Sequence, residues 1–319
     1  MSTGYIDTVV AAIHAEAKDI LRYDLVDAQG HGLPPFEPGA HLEVYLPNGL
    51  IRHYSLCNDF QDVSHYSIGV GLSPTSRGGS KYLHGALKVG DRLRVSTPRN
   101  NFPIDQSGEH FTFIAGGIGI TPILAMIRWC VAHGKPWQLH YLARSRLRAA
   151  FLDELQDFSQ QNVHTHFLDE NAGKALDVDV AVAALPSDSH IYCCGPASLM
   201  ESVQAAGEVS HGHERMHFEW FGGKAPNSGD LQSFKLVLRS SGEELEVPAD
   251  RSILEVLEEK GHCVPFSCRE GLCGSCETRV LSGTPDHRDF ILSDITRAEG
   301  KSMLICVSRA KTAVLELDI

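Results

Sequence analysis

Over the first hundred residues, apolar and polar positions alternate in short runs separated by turn residues. Residues 41–46 and 65–70 are such runs, and Pro47-Asn48-Gly49 is such a turn. A period of two places successive side chains on opposite faces of a strand, so this stretch predicts an antiparallel β-barrel. Beyond it the pattern changes. Residues 111–115 form a continuous apolar run of the kind found in a buried strand, and a Gly-rich turn follows. Apolar residues then recur at helical spacing over 122–133. Residues 139–143 read as a second strand, 149–158 as a helix and 190–194 as a further strand. Strands alternating with helices predict a doubly wound α/β sheet. Residues 222–230 lack apolar periodicity and are rich in Gly, Pro, Asn and Ser, so they read as a linker. The remainder returns to β character, with a hairpin over 234–239 and 243–247. A short helix over 252–260 has Asp250 or Ser252 near its start. The expected division is therefore a barrel domain over 1–106, a nucleotide domain over 107–221, a linker over 222–231 and a third domain over 232–319. No internal repeat or low-complexity segment interrupts it.

Composition narrows the classes. The chain has 319 residues, 43% hydrophobic and 21% charged, with a formal net charge of −12. Such values suit a globular protein of about two or three domains. The negative balance argues against nucleic acid as a partner, because phosphate binding needs a basic patch. No apolar run is long enough to span a membrane, and residues 1–7 carry no signal-peptide pattern, so a cytoplasmic protein is expected. The nine cysteines, an odd number without a secretion signal, favour ligation over a disulfide framework.

Four of them carry the most specific signal. Cys268, Cys273, Cys276 and Cys306 follow the spacing C-x4-C-x2-C-x29-C, that of the plant-type ferredoxin. Gly271 and Gly274 suit a loop that must bring its N–H groups close to sulfur. A structural zinc site is the competing reading, but zinc favours paired knuckles, and here the last cysteine stands alone. Cys263 reads as a small buried apolar residue outside the ligand set. A second signal is Ala115-Gly116-Gly117-Ile118-Gly119-Ile120-Thr121-Pro122, directly after a strand and opening a helix. Backbone N–H groups at such a turn can hold a pyrophosphate, with Thr121 as helix cap and Pro122 at the first helical position. The same motif also suits a simple tight turn. Cys194-Gly195-Pro196, after a later strand, supplies a second turn at the same sheet edge. A third signal is Arg52-His53-Tyr54-Ser55. Arginine can meet a phosphate, tyrosine can stack on an isoalloxazine ring and serine can hydrogen-bond its edge. Downstream, Ser76-Arg77-Gly78-Gly79-Ser80 is another phosphate-friendly turn. Taken alone, the third motif equally suits an ordinary strand.

Together the motifs resemble the phthalate dioxygenase reductase family, which includes reductase components of vanillate demethylase-type oxygenases. The resemblance runs over essentially the whole chain and extends to Tyr192-Cys193-Cys194-Gly195-Pro196, Pro285-Asp286-His287-Arg288-Asp289 and the segment 306–311. It implies a multidomain fold: a flavin barrel, a nucleotide domain and a β-grasp ferredoxin domain. It also implies FMN, NADH and a [2Fe–2S] cluster as cofactors. The flavin phosphate would be held by Arg77, Gly78, Gly79 and Ser80, and its ring by Arg52, Tyr54 and Ser55. Phe221 would cover the face where nicotinamide enters. The implied partner is a Rieske non-haem iron oxygenase acting on an aromatic compound; a haem oxygenase is the alternative, and a monomer is expected. A redox-sensing protein without turnover is a further alternative, which the flavin and nucleotide motifs oppose. Arg144-Ser145-Arg146 leaves NADPH open, since it suits either a 2′-phosphate or a solvated turn.

Overall fold

The computed structural model describes residues 4–74, 76, 78–158, 161–222 and 232–319. It divides into two compact units, Met1–Glu219 and Trp220–Ile319.

The first unit begins with seven antiparallel strands: β1 (Tyr5–Ala17), β2 (Ile20–Asp27), β3 (Ala40–Tyr45), β4 (Ile51–Ser55), β5 (Tyr66–Gly71), β6 (Arg92–Ser96) and β7 (Arg99–Asn100). Their order is β4-β3-β6-β1-β2-β5, with β7 paired to β3. An antiparallel bridge between Leu56 and Ile68 brings the end of β4 to β5, so the sheet curls into a barrel. The alternation along the strands accounts for this. Tyr23 and Leu25 of β2, Leu42 and Val44 of β3, and Leu93 and Val95 of β6 all point into one buried core. Helix α1 (Gly79–Gly85) sets Leu83 in that core, and the Leu83 carbonyl accepts a 2.7 Å hydrogen bond from Tyr23 OH.

The same unit continues as a parallel sheet of β8 (His110–Gly116), β9 (Trp137–Ala143), β10 (Val163–Phe167), β11 (Ser189–Cys194) and β12 (Met216–Glu219), ordered β10-β9-β8-β11-β12. Four helices intervene: α2 (Ile120–Ala132), α3 (Leu152–Phe158), α4 (Val178–Ala183) and α5 (Ala197–Ser210). Strand order reverses direction between β8 and β11, so the crevice of a doubly wound sheet lies at their C-terminal ends. Helix α2 is buried almost all round. Ile123, Leu124 and Ile127 join the core of the parallel sheet, while Ala125 belongs to the barrel core. One helix thus ties barrel and sheet into a single unit.

The second unit contains β13 (Phe234–Leu238), β14 (Glu244–Val247), β15 (Glu277–Ser282), β16 (Pro285–Asp286), β17 (Ser302–Leu304), β18 (Arg309–Ala310) and β19 (Val314–Leu317), with helices α6 (Ile253–Glu259) and α7 (Asp294–Glu299). The main sheet runs β14-β13-β19-β15-β17. Its β13–β19 pair is parallel, and β16 pairs with β18 separately. Ile253, Leu254 and Leu257 of α6 pack on Leu236, Val247 and Leu315 of the sheet, the arrangement of a β-grasp domain. Of the two candidate residues at the start of α6, Ser252 is the cap. Its hydroxyl accepts from Glu255 N–H, while the Glu255 side chain accepts from Ser252 N–H, a reciprocal pairing that satisfies two otherwise orphaned donors. Among the described residues, no helix is long and apolar enough to cross a membrane.

Candidate functional site

The Gly-rich turn lies where β8 ends, and β11 runs parallel beside it with Cys194 opposite Ala115. The two turns that follow these strands are pressed together. A Cβ on Gly119 would fall 2.1 Å from the Cys194 carbonyl oxygen, and one on Gly116 would fall 2.5 Å from Pro196 Cδ. A Cβ on Gly195 would fall 2.9 Å from Gly116 Cα. Gly117 is different. Its φ is +55° and nothing lies within 4 Å of where a Cβ would project, so it presents an open face. The structure therefore brings Gly116, Gly119, Cys194, Gly195 and Pro196 together as packing, with Gly117 outward.

Thr121 does not cap the helix as the sequence predicts. The turn itself winds as a 3-10 helix over Gly117–Gly119 and runs into α2 at Ile120. Because Gly119 fits against the Cys194 carbonyl, the helix starts two residues before Pro122. Thr121 is then a buried first-turn residue, and its hydroxyl donates to the Ile118 carbonyl at 2.9 Å.

In the barrel, β4 pairs with β3 so that Tyr54 faces Leu42, Arg52 faces Val44 and Ser55 faces His41. Period-two alternation puts Arg52 and Tyr54 on one side and Ser55 on the other. The Arg52 side chain crosses the turn before α1: a Cβ on Gly79 would fall 2.7 Å from Arg52 Cγ and 2.8 Å from its Nε. Gly78 adopts a left-handed conformation there, and the Ser80 hydroxyl donates to Ser76 Oγ at 3.0 Å. Arg52, Gly78, Gly79 and Ser80 are thus neighbours. Arg77 lies outside the described residues. Burial pushes the Tyr54 phenol well above its ordinary range.

Ser55 points to a residue that the sequence reading missed. Its hydroxyl donates to Glu219 Oε2 at 3.2 Å, and Glu219 is the β12 partner of Cys194. Burial pushes the Glu219 carboxyl up to about 8, with the Ser55 hydrogen bond pulling the other way. Burial and the neighbouring Glu219 likewise raise the Cys194 thiol. Ser55, Glu219 and Cys194 therefore converge from the barrel and the sheet. The available signal was an acid closing the short strand Met-His-Phe-Glu at the same sheet edge as the Gly-rich turn. Phe221 belongs to the second unit and is 41% exposed; its neighbour Trp220 stacks on Phe290 with ring centroids 4.8 Å apart.

All four predicted ligand cysteines lie in the second unit, on the loop before β15 and the segment after β17. Cys268, Cys276 and Cys306 are buried and Cys273 is half-buried. The four thiols perturb one another: Cys268 raises those of Cys273 and Cys306, while Cys306 lowers that of Cys276. The loop turns its amides onto sulfur. Glu270 N–H and Leu272 N–H donate to Cys268 Sγ at 3.3 and 3.4 Å, and Cys268 N–H donates to Cys273 Sγ at 3.5 Å. This requires left-handed backbone at Arg269 (φ 59°) and Gly271 (φ 73°). Thiolates wrapped by N–H donors fit an anionic iron–sulfur cluster, whose potential such bonds tune. Cys263 is exposed and not buried as expected. It follows the turn at Gly261 (φ 82°) that ends α6, which takes the chain away from the core.

Comparison with known proteins accords with this geometry. Residues 113–205 match the oxidoreductase NAD-binding domain model, and residues 236–311 match the 2Fe-2S iron-sulfur cluster binding domain model. Phenoxybenzoate dioxygenase subunit beta of Ectopseudomonas oleovorans is 46% identical over 97% of this chain and 96% of that one. Phthalate dioxygenase reductase of Burkholderia cepacia is 42% identical over 99% and 98%. A solved structure of phthalate dioxygenase reductase, described as modular for electron transfer from pyridine nucleotides to [2Fe-2S], matches with a TM-score of 0.76 at 42% identity, covering 99% of this chain and 98% of that one. An intact type IV self-sufficient cytochrome P450 monooxygenase matches with a TM-score of 0.85 at 35% identity, over 99% of this chain and 41% of that longer chain. By sequence, domain content and fold, the chain belongs to the phthalate dioxygenase reductase family of oxidoreductases.

Proposed function

We propose that the chain is the reductase component of a Rieske-type oxygenase system, passing electrons from NADH through FMN and its own [2Fe–2S] cluster to the oxygenase. The observation that carries this reading is the cysteine loop with its amides turned onto sulfur, in one polypeptide with a nucleotide-type turn. Three functional domains, 1–106, 107–221 and 232–319, with a linker over 222–231, divide the work. The stretches matching the NAD-binding and 2Fe-2S models fall inside the second and third.

The nucleotide pyrophosphate would lie on the open face of Gly117, with Gly116, Gly119, Cys194, Gly195 and Pro196 keeping the two turns packed and Thr121 beneath them. The FMN phosphate would sit at Arg77, Gly78, Gly79 and Ser80 beside Arg52. Tyr54 and Ser55 would hold the ring, and Phe221 would cover it. When bound, flavin supplies the conversion of a two-electron donor to a one-electron acceptor, which the cluster requires. The protein supplies position and charge. Ser55 orients the reacting edge. Glu219, largely protonated at pH 7 through burial, adds little negative charge beside it. Cys268, Cys273, Cys276 and Cys306 hold the cluster.

NADH is favoured over NADPH because Arg146 is already engaged. Its Nε and Nη2 donate to the two oxygens of Glu170 at 3.1 and 3.2 Å, and its guanidinium lies over Phe167. The odd number of cysteines, buried as thiols apart from Cys263 and the half-buried Cys273, suits the reducing cytoplasm. One chain carries every candidate group, so a monomer suffices. The dioxygenase names of the relatives favour a Rieske partner and an aromatic substrate, while the P450 match keeps a haem partner as the second reading. An absorption spectrum before and after anaerobic NADH tests the proposal: flavin bands over broad iron–sulfur absorption, both bleaching, are expected. A protein that bleached nothing after flavin and iron–sulfide reconstitution would end it. Steady NADH-dependent cytochrome c reduction would exclude a sensor without turnover.

A further inference from the structure

The segment Pro285-Asp286-His287-Arg288-Asp289 lies in the long interval between Cys276 and Cys306 and holds no cysteine, yet it touches both halves of the cysteine site. On one side, Phe290 N–H donates to the Gly271 carbonyl at 3.1 Å, within the loop 268–276. On the other, Arg288 N–H donates to Ser308 Oγ at 3.2 Å, two residues beyond Cys306, and β16 pairs with β18. Gly271 is wedged between them: a Cβ there would fall 2.6 Å from Val307 Cγ2 and 3.1 Å from Asp289 Cα.

Asp289 organises this segment. Its side chain is fully buried. Its Oδ2 accepts from Leu292 N–H at 2.9 Å and Ile291 N–H at 3.3 Å, closing the turn that starts at Phe290. Arg297 of α7 donates to the Asp289 carbonyl at 2.7 Å and reaches Oδ2 at 3.4 Å. Its other oxygen, Oδ1, has no hydrogen-bond partner among the described residues; nor have Arg297 Nε and either ring nitrogen of His287, which lies 3.6 Å from Oδ1. Unpaired buried polar atoms are costly. Packing alone would be better served by an apolar residue, so the carboxylate is explained by its charge and by the bonds that it makes.

We propose that Asp289, held by Arg297, is a positioning residue for the iron–sulfur cluster. It clamps the ligand loop to the segment carrying Cys306, and its charge, opposed by that of Arg297, sets the cluster's potential. The cluster gains one negative charge on reduction. A buried carboxylate nearby opposes that gain and a guanidinium favours it. The inference rests on reading the four cysteines as cluster ligands.

The test uses the full-length holoprotein and reads the cluster's midpoint potential and low-temperature EPR spectrum for Asp289→Asn, Arg297→Met and Asp289→Ala. Asp289→Asn keeps the hydrogen-bonding shape and loses the charge, so its potential should rise. Arg297→Met leaves the carboxylate unopposed, so its potential should fall. Each shift is expected to be about tenfold in the reduced-to-oxidised ratio at fixed ambient potential, ~59 mV for one electron. Asp289→Ala should release iron to a chelator faster than wild type, and Asp289→Asn should not. Shifts of opposite sign with wild-type g-values retained would support the proposal. Unmoved potentials, or shifts of the same sign, in variants that load a normal cluster would overturn it while leaving the cluster reading intact. A wild-type chain that loads no cluster would overturn both.

Discussion

Glu219 is a partly buried acid whose carboxyl has little water to ionise into. Its carboxyl lies against Ser55 and Cys194 with a folded-state value of about 8, against 4.5 for an unperturbed glutamate. The folded state therefore binds the proton more tightly than the unfolded chain. The resulting stability is fully present below about pH 4.5 and is lost as pH rises toward and through about 8, at up to roughly 1.4 kcal/mol per pH unit in between. Glu219→Gln keeps the shape and cannot ionise. Urea unfolding of the flavin-free protein at pH 5, 6, 7 and 8 should show the variant gaining on wild type with each step, by a few kcal/mol in all. A difference that stays constant with pH would mean that the carboxyl titrates normally and that Ser55 has an anionic neighbour. Where flavin is bound, the same substitution should leave hydride transfer near pH 7 almost untouched and suppress its decline at higher pH.

At the scale of elements, the Gly-rich turn makes two different demands on residues that look alike in sequence. Gly119 must approach the Cys194 carbonyl, whereas Gly117 needs only its left-handed backbone and open space. Gly119→Ala should force β8 and β11 apart at the crevice and cost about 1–3 kcal/mol, as overpacking does. Gly117→Ala should cost about 1–2 kcal/mol of backbone strain, with its larger effect on the KM for NADH. Thermal melts and NADH kinetics on the two variants check this; equal losses of stability and affinity in both would remove the distinction. The strands and the succession of barrel, parallel sheet and β-grasp folds were legible because each rests on local signals: period-two alternation, turn residues and helical spacing. The helix start was not legible. Thr121 and Pro122 are good cap chemistry, but the fit of Gly119 against another strand's carbonyl decided the matter, and that contact is distant in sequence. Glu219 and Asp289 escaped for the same reason. An isolated acid acquires its meaning only from what burial places around it. Cys263 went the other way: its residue type favours burial, and the turn at Gly261 left it exposed.

On the scale of the whole molecule, the proposed function would divide the chemistry by its electron count between Glu219 and Trp220. Apart from Phe221, every residue proposed for nucleotide or flavin belongs to the first unit, where two electrons would arrive together. All four cysteines proposed as ligands belong to the second, where one electron would be held at a time. Each unit has its own core, so damage to one site need not propagate to the other. Cys273→Ser is the sharpest probe, because Cys273 is the most exposed of the four ligands and its replacement leaves the buried set in place. A serine hydroxyl ionises far less readily than a thiol and binds iron poorly. The variant should lose the broad iron–sulfur absorption, and its NADH-dependent reduction of a one-electron acceptor that takes electrons from the cluster should fall by roughly 100-fold or more, beyond what loss of an outer-shell partner costs. Stopped-flow bleaching of its flavin by NADH should proceed at the wild-type rate. Loss of flavin reduction in a variant whose first unit still folds, as judged by circular dichroism, would mean that the cluster loop supports the flavin site directly. The two units would then be one catalytic device, and the separation by electron count would be wrong.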